Sequence, residues 1–152
     1  MKRLIYYFSV CLIMGLVSCS SDDDEGGISY KTIAGHWQSV SYHGTYTDYR
    51  TGEEEVNGEH EYTGLVFKLY DDGTCYYHNH SGTYKLLGKE LDLEVHYVTD
   101  GLDREGNTVK RNVDIHDTFT IDEFKTNTMI ITTDWLFVNG KSHNTYTMKK
   151  VN

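Results

Sequence analysis

Leu91, Leu93, Val95 and Tyr97 alternate with Asp92, Glu94 and His96. Successive side chains on a strand project to opposite faces, so this period of two marks a strand with one dry and one wet face. The same period returns at Leu65, Phe67 and Leu69, and at Val113, Ile115, Phe119 and Ile121, where Asp117 interrupts it. Turn chemistry separates the runs at Asp71-Asp72-Gly73, His80-Ser81-Gly82, Gly88-Lys89, Lys125-Thr126-Asn127 and Asn139-Gly140. Gly, Asn and Asp accept the backbone angles that tight hairpins demand. The chain contains no proline, so no residue is barred from donating to a ladder. No stretch carries a convincing amphipathic helical period.

Taken in order, strands are expected at residues 38–43, 46–50, 61–70, 74–79, 83–87, 91–97, 113–121, 128–138 and 142–151. Residues 51–61 and 99–112 read as loops, the second long enough to be functional or mobile. Residues 128–138 are apolar on both faces, as in a strand covered on both sides by core, ligand or partner. Sequential strands joined by tight turns favour a meander, and closing a meander removes exposed edges. The expected fold is all-β: an eight- or nine-stranded antiparallel up-and-down barrel. A β-sandwich is the alternative, since alternation alone does not separate the two.

The first residues carry an address. Lys2-Arg3 precedes an apolar run over residues 4–17, broken only by Ser9 and Gly15, and ends in Leu16-Val17-Ser18-Cys19. The run is shorter than the roughly 20 residues a membrane span needs and has the length of a secretion-signal core. The Leu-Val-Ser-Cys tetrad resembles the lipobox of bacterial lipoproteins, which implies cleavage before Cys19 and acylation of its sulfur. One acyl chain anchors marginally, whereas two or three hold a protein durably. Residues 20–27, Ser-Ser-Asp-Asp-Asp-Glu-Gly-Gly, contain no apolar side chain and read as a disordered tether. Directly after the cysteine, this acidic run is similar to the export tag of Bacteroides-type surface lipoproteins. The resemblance implies an outer-membrane protein, lipid-anchored and exposed on the cell surface. The expected organisation is a signal peptide at 1–18, a tether at 19–30 and a single domain at 31–152.

Charge and cysteines narrow the function. The formal charge is −9, and more negative by two once Lys2 and Arg3 are lost, which speaks against nucleic-acid partners. Of three cysteines, Cys11 leaves with the leader and Cys19 is the lipid site. Cys75 remains, without a partner for a disulfide, and reads as a small buried hydrophobe. His78 and His80 stand two apart, which on a strand puts both imidazoles on one side. A zinc site needs a third ligand that nothing local supplies, so no metal is assigned. The stretch 100–106 fails the calcium-loop register, with Gly101 at the first ligand position and Asn112 at the bidentate one. No Gly-x-Ser-x-Gly elbow or phosphate-cradling glycine loop is present. The chain reads as a non-enzymatic protein without a cofactor.

Gly35-His36-Trp37 opens the first strand, and a Gly-x-Trp in that place resembles the lipocalin-like family. The resemblance spans residues 33–151. It implies that Trp37 packs across the floor of a barrel and that a small hydrophobic or amphipathic molecule is held inside. The expected lining is Trp37, Phe67, Leu93, Trp135 and Phe137. The second reading is a surface module with a filled barrel, whose loops at 51–61 and 99–112 contact a protein or a glycan. Thirteen tyrosines and two tryptophans suit either reading, although cross-strand packing in an all-β protein uses most of them.

Overall fold

The structure, a computed structural model, describes residues 27–151. The leader, Cys19 and the acidic run up to residue 26 lie outside the described residues. A short helix α1 (Tyr30–Ile33) leads into nine strands. These are β1 (Gly35–Asp48), β2 (Glu54–Glu61), β3 (Val66–Leu69), β4 (Thr74–Tyr77), β5 (His80–Leu87), β6 (Glu90–Leu102), β7 (Thr108–Lys125), β8 (Thr128–Phe137) and β9 (Gly140–Val151). From β3 to β9 each strand pairs with the next, and β9 returns to lie antiparallel along β1. Since β1 also pairs with β3, eight antiparallel strands close into a barrel, and β2 is added on β1 alone. The β1–β9 closure excludes the sandwich and is consistent with the lipocalin-like, up-and-down barrel.

The floor of the barrel is built by the chain as it enters. Ser29 caps α1 by accepting the Thr32 backbone N–H, while the Thr32 hydroxyl accepts the Ser29 N–H. This reciprocal pair satisfies donors that a helix start leaves free. Tyr30 packs its ring 5.1 Å from that of Tyr84, and its hydroxyl accepts the Leu86 N–H. Ile28, just before the cap, also packs against the core. Trp37 is fully buried, and its indole N–H donates to the Ile33 carbonyl at 2.8 Å. Above the floor, Phe67, Leu69, Leu91, Leu93, Phe119, Ile121, Ile131 and Met148 fill the interior. A buried side chain of this size contributes about 1.5–3 kcal/mol, so this cluster carries the stability of the domain.

Only half of the barrel is closed. β3 and β4 span four residues each, so the wall on that side is low. β7 pairs with β8 only from Thr120↔Thr132 to Lys125↔Thr128. Beyond that point β6 and β7 continue as a two-stranded ribbon, while β8, β9, β1 and β2 continue as a concave four-stranded sheet. At the divergence the Thr133 hydroxyl donates to the Thr118 carbonyl at 2.8 Å.

Several expected boundaries move. Residues 99–112 are not a loop: β6 and β7 stay paired as far as Leu102↔Thr108. Residues 54–61 form the exposed strand β2, where the alternating pattern is missing because neither face is covered. The turn expected at residues 80–82 lies at His78-Asn79, both with positive φ, which gives a two-residue hairpin between Tyr77 and His80. The last hairpin turns at Val138-Asn139, with Phe137 opposite Gly140. Gly140 is there for space, since a Cβ would stand 2.6 Å from the Tyr46 ring. β8 is not covered on both faces: Met129, Ile131 and Thr133 point into the core, and every residue from Asp134 to Phe137 is exposed.

Candidate functional site

The concave sheet above the core carries the candidate site. Its geometry begins with a bulge. β1 points Trp37 and Ser39 inward, and its pairing with β9 shifts between Ser39 and Ser41. The extra residue reverses the parity of the strand, so Tyr42, Gly44 and Tyr46 face inward beyond it. The registers then stack cross-strand rows over β8, β9, β1 and β2. The lowest row is Ile131, Tyr146, Tyr42 and His60. Above it stand Thr133, Asn144, Gly44 and Asn57, and then Trp135, Ser142, Tyr46 and Glu55. Phe137, Gly140 and Asp48 form the top row.

Small residues run through these rows at Gly44, Ser142 and Gly140, and rings stand on either side. The result is an open groove of about 460 Å³ walled by Trp135 and Phe137 on β8 and by Tyr42 and Tyr46 on β1. Tyr46 leans over Gly140, with its ring 6.2 Å from that of Phe137. Tyr42 leans over Gly44 and donates its hydroxyl proton to Asn144 Oδ1 at 2.8 Å. Asn144 in turn donates to Ser142 Oγ at 2.9 Å. Three polar side chains are thereby fixed in one orientation on the floor. Asn57 on β2 and Asn139 in the β8–β9 turn add amides to the lining. Every side chain lining the groove is uncharged.

A layer of tyrosines separates groove from core. Tyr146 lies 5.3 Å from Tyr42 and 5.9 Å from Tyr62, ring to ring. Tyr77 donates to Asp117 Oδ2 at 2.8 Å. Burial pushes the Tyr77 and Tyr146 phenols up, and the Asp117 carboxylate beside Tyr77 adds to the effect there. Both hydroxyls stay protonated at neutral pH, and that of Tyr77 acts as a donor.

The five residues expected to line one cavity separate into two sets. Trp37, Phe67 and Leu93 are buried together in the core. Trp135 and Phe137 share their inward parity but stand above the closed half, 39% and 50% exposed. The histidine pair is not on one strand face. His78 occupies a hairpin turn, with Nε2 3.9 Å from Asp117 Oδ2, and His80 stacks on Tyr97 at 3.6 Å. Among the described residues no group of three His, Cys, Asp or Glu side chains is placed to hold a metal. Cys75 is buried, its thiol donates to the Thr83 carbonyl, and desolvation pushes its pKa up to about 11. It packs as a hydrophobe and is no nucleophile at neutral pH.

The sequence pointed to Trp135 and Phe137 but not to Tyr42, Tyr46, Asn57, Ser142 or Asn144. The bulge on β1 hides the inward parity of the tyrosines, and β2 has no pattern to read. Compared with known proteins, the chain matches no protein-family model and no curated protein.

Proposed function

We propose that the protein is a lipid-anchored surface module that takes its partner in the aromatic groove, over a filled barrel. The observation that carries this reading is the division of the aromatic residues. Trp37 and Phe67 are fully buried in packed core, whereas Trp135 and Phe137 stand exposed over an open, uncharged groove. Exposed aromatic side chains gathered in a concavity are a signature of binding surfaces. The groove holds no carboxylate, imidazole or thiol, so its chemistry is recognition rather than proton transfer. The lipid on Cys19 and the cell-surface address rest on the lipobox and the acidic run after it.

The two tryptophans separate this reading from a ligand held inside the barrel. A partner in the groove quenches or shifts Trp135 emission and leaves Trp37 unchanged, as read from Trp37→Phe and Trp135→Phe proteins. A fatty acid or retinoid that altered the emission of Trp37 would move the site into the interior and overturn the reading. The address is tested separately. Cys19→Ala abolishes palmitate labelling and releases the protein from membranes; unchanged labelling would refute the anchor.

A further inference from the structure

We infer that the occupant of the groove is a neutral oligosaccharide, bound with sugar rings against Trp135, Phe137 and Tyr46. This rests on the groove being the binding site. Three observations select the ligand class. The first is ring presentation. Trp135 and Tyr46 sit on the same cross-strand row with Ser142 between them, two strand spacings or about 10 Å apart. The face of an aromatic ring is electron-rich, and the C–H groups on one face of a pyranose present the complementary partial charge.

The second observation is the pairing of rings with amides. Asn57 and Asn139 line the groove beside the rings. An amide both donates and accepts, as does a sugar hydroxyl. An acyl chain has no use for either group and is better served by a deep apolar pocket.

The third observation sets the charge. Tyr46 is shared with a neighbouring depression of about 580 Å³ lined by Asp48, Glu53, Glu54 and Glu55. Arg50 neutralises only Asp48 there, at 2.8 Å. An anionic sugar stacked on Tyr46 would meet uncompensated carboxylates, and like charges brought together at an interface disfavour binding. The acidic rim therefore selects against uronates and sulfated chains while the uncharged groove accepts neutral ones.

The test uses the intact chain with Cys19→Ala to remove the lipid site. Calorimetry is run against neutral hexasaccharides of glucose, mannose, galactose and xylose, with an oligogalacturonate as the acidic arm. At least one neutral hexasaccharide binds and the oligogalacturonate does not. Trp135→Ala and Tyr46→Ala each weaken the neutral ligand by roughly tenfold or more. Trp135→Phe retains most of the affinity, which separates lost stacking from a damaged fold. Glu53→Gln/Glu54→Gln/Glu55→Gln raises the acidic-to-neutral affinity ratio by roughly tenfold. If no neutral hexasaccharide binds, the ligand class is wrong. A purified protein partner whose binding is lost in Trp135→Ala, with the sugars silent, overturns the ligand class and leaves the groove standing. Sugar binding that survives both Trp135→Ala and Tyr46→Ala overturns the groove itself.

Discussion

The closed barrel and the four-stranded sheet above it share three strands, β1, β8 and β9, and use them differently. In the closed half β1, β8 and β9 each have a neighbour on both sides, and their inward residues Trp37, Ile131 and Met148 are sealed. In the open half β8 has lost β7, and the same inward parity leads to Trp135 and Phe137 in contact with solvent. One alternating pattern thus supplies core below and a solvent-exposed aromatic groove above. Sheet closure decides which, more than side-chain type. Stability and binding should therefore separate when residues of the two halves are changed.

The largest effect belongs to the floor. Trp37→Ala removes a buried ring and its hydrogen bond to Ile33, and should lower unfolding free energy by about 3–5 kcal/mol in urea titration. A loss under about 1 kcal/mol would erase the distinction between the halves. Alkaline pH probes the layer between them together with Tyr84 at the floor. Burial raises the Tyr77, Tyr84 and Tyr146 phenols above the ordinary value of 10.0. The folded state keeps protons that the unfolded chain releases, so this stabilisation is whole below pH 10.0 and fades as pH rises toward the raised values. Phenolate absorbance from these three should therefore appear together with unfolding. Free titration of all tyrosines in the folded state would contradict the packing.

Tyr77→Phe comes next. It leaves Asp117 without the phenol donor that lies 2.8 Å away and should destabilise by about 1–3 kcal/mol in the same titration. Trp135→Ala should change stability least, by about 0.5 kcal/mol or less as a surface substitution, while removing binding in the groove. A Trp135→Ala loss approaching that of Trp37→Ala would show that the open half supports the fold after all.

How much of this was legible in the sequence follows the same division. Where both a neighbouring strand and a core are present, the period of two appears undisguised, as at Leu91, Leu93 and Val95, and the barrel could be read from it. The Gly35-His36-Trp37 opening likewise placed Trp37 at the floor. The pattern weakens where one of these constraints is missing. β2 lies on a single neighbour with both faces wet, so Glu54–Glu61 shows no alternation and read as a loop. The ribbon at 99–112 is held by backbone pairing rather than by burial, and it failed for the same reason. On β1 a single bulge moves Tyr42 and Tyr46 to the inner face, and no residue type announces it. The groove is assembled from the places where local pattern is least informative. Only Trp135 and Phe137, continuing the parity of Ile131, pointed toward it.

Strand β1 begins at the floor beside α1 and ends at the rim of the groove. Its 14 residues, at about 3.3 Å each and tilted by roughly 40° to the barrel axis, place about 35 Å between the two poles. Anything that grips the chain by its N-terminal side thus meets the floor first and holds the aromatic rings at the far tip. Under the proposed anchor at Cys19 the barrel would act as a mast, with its length adding to the distance at which the groove stands from the envelope.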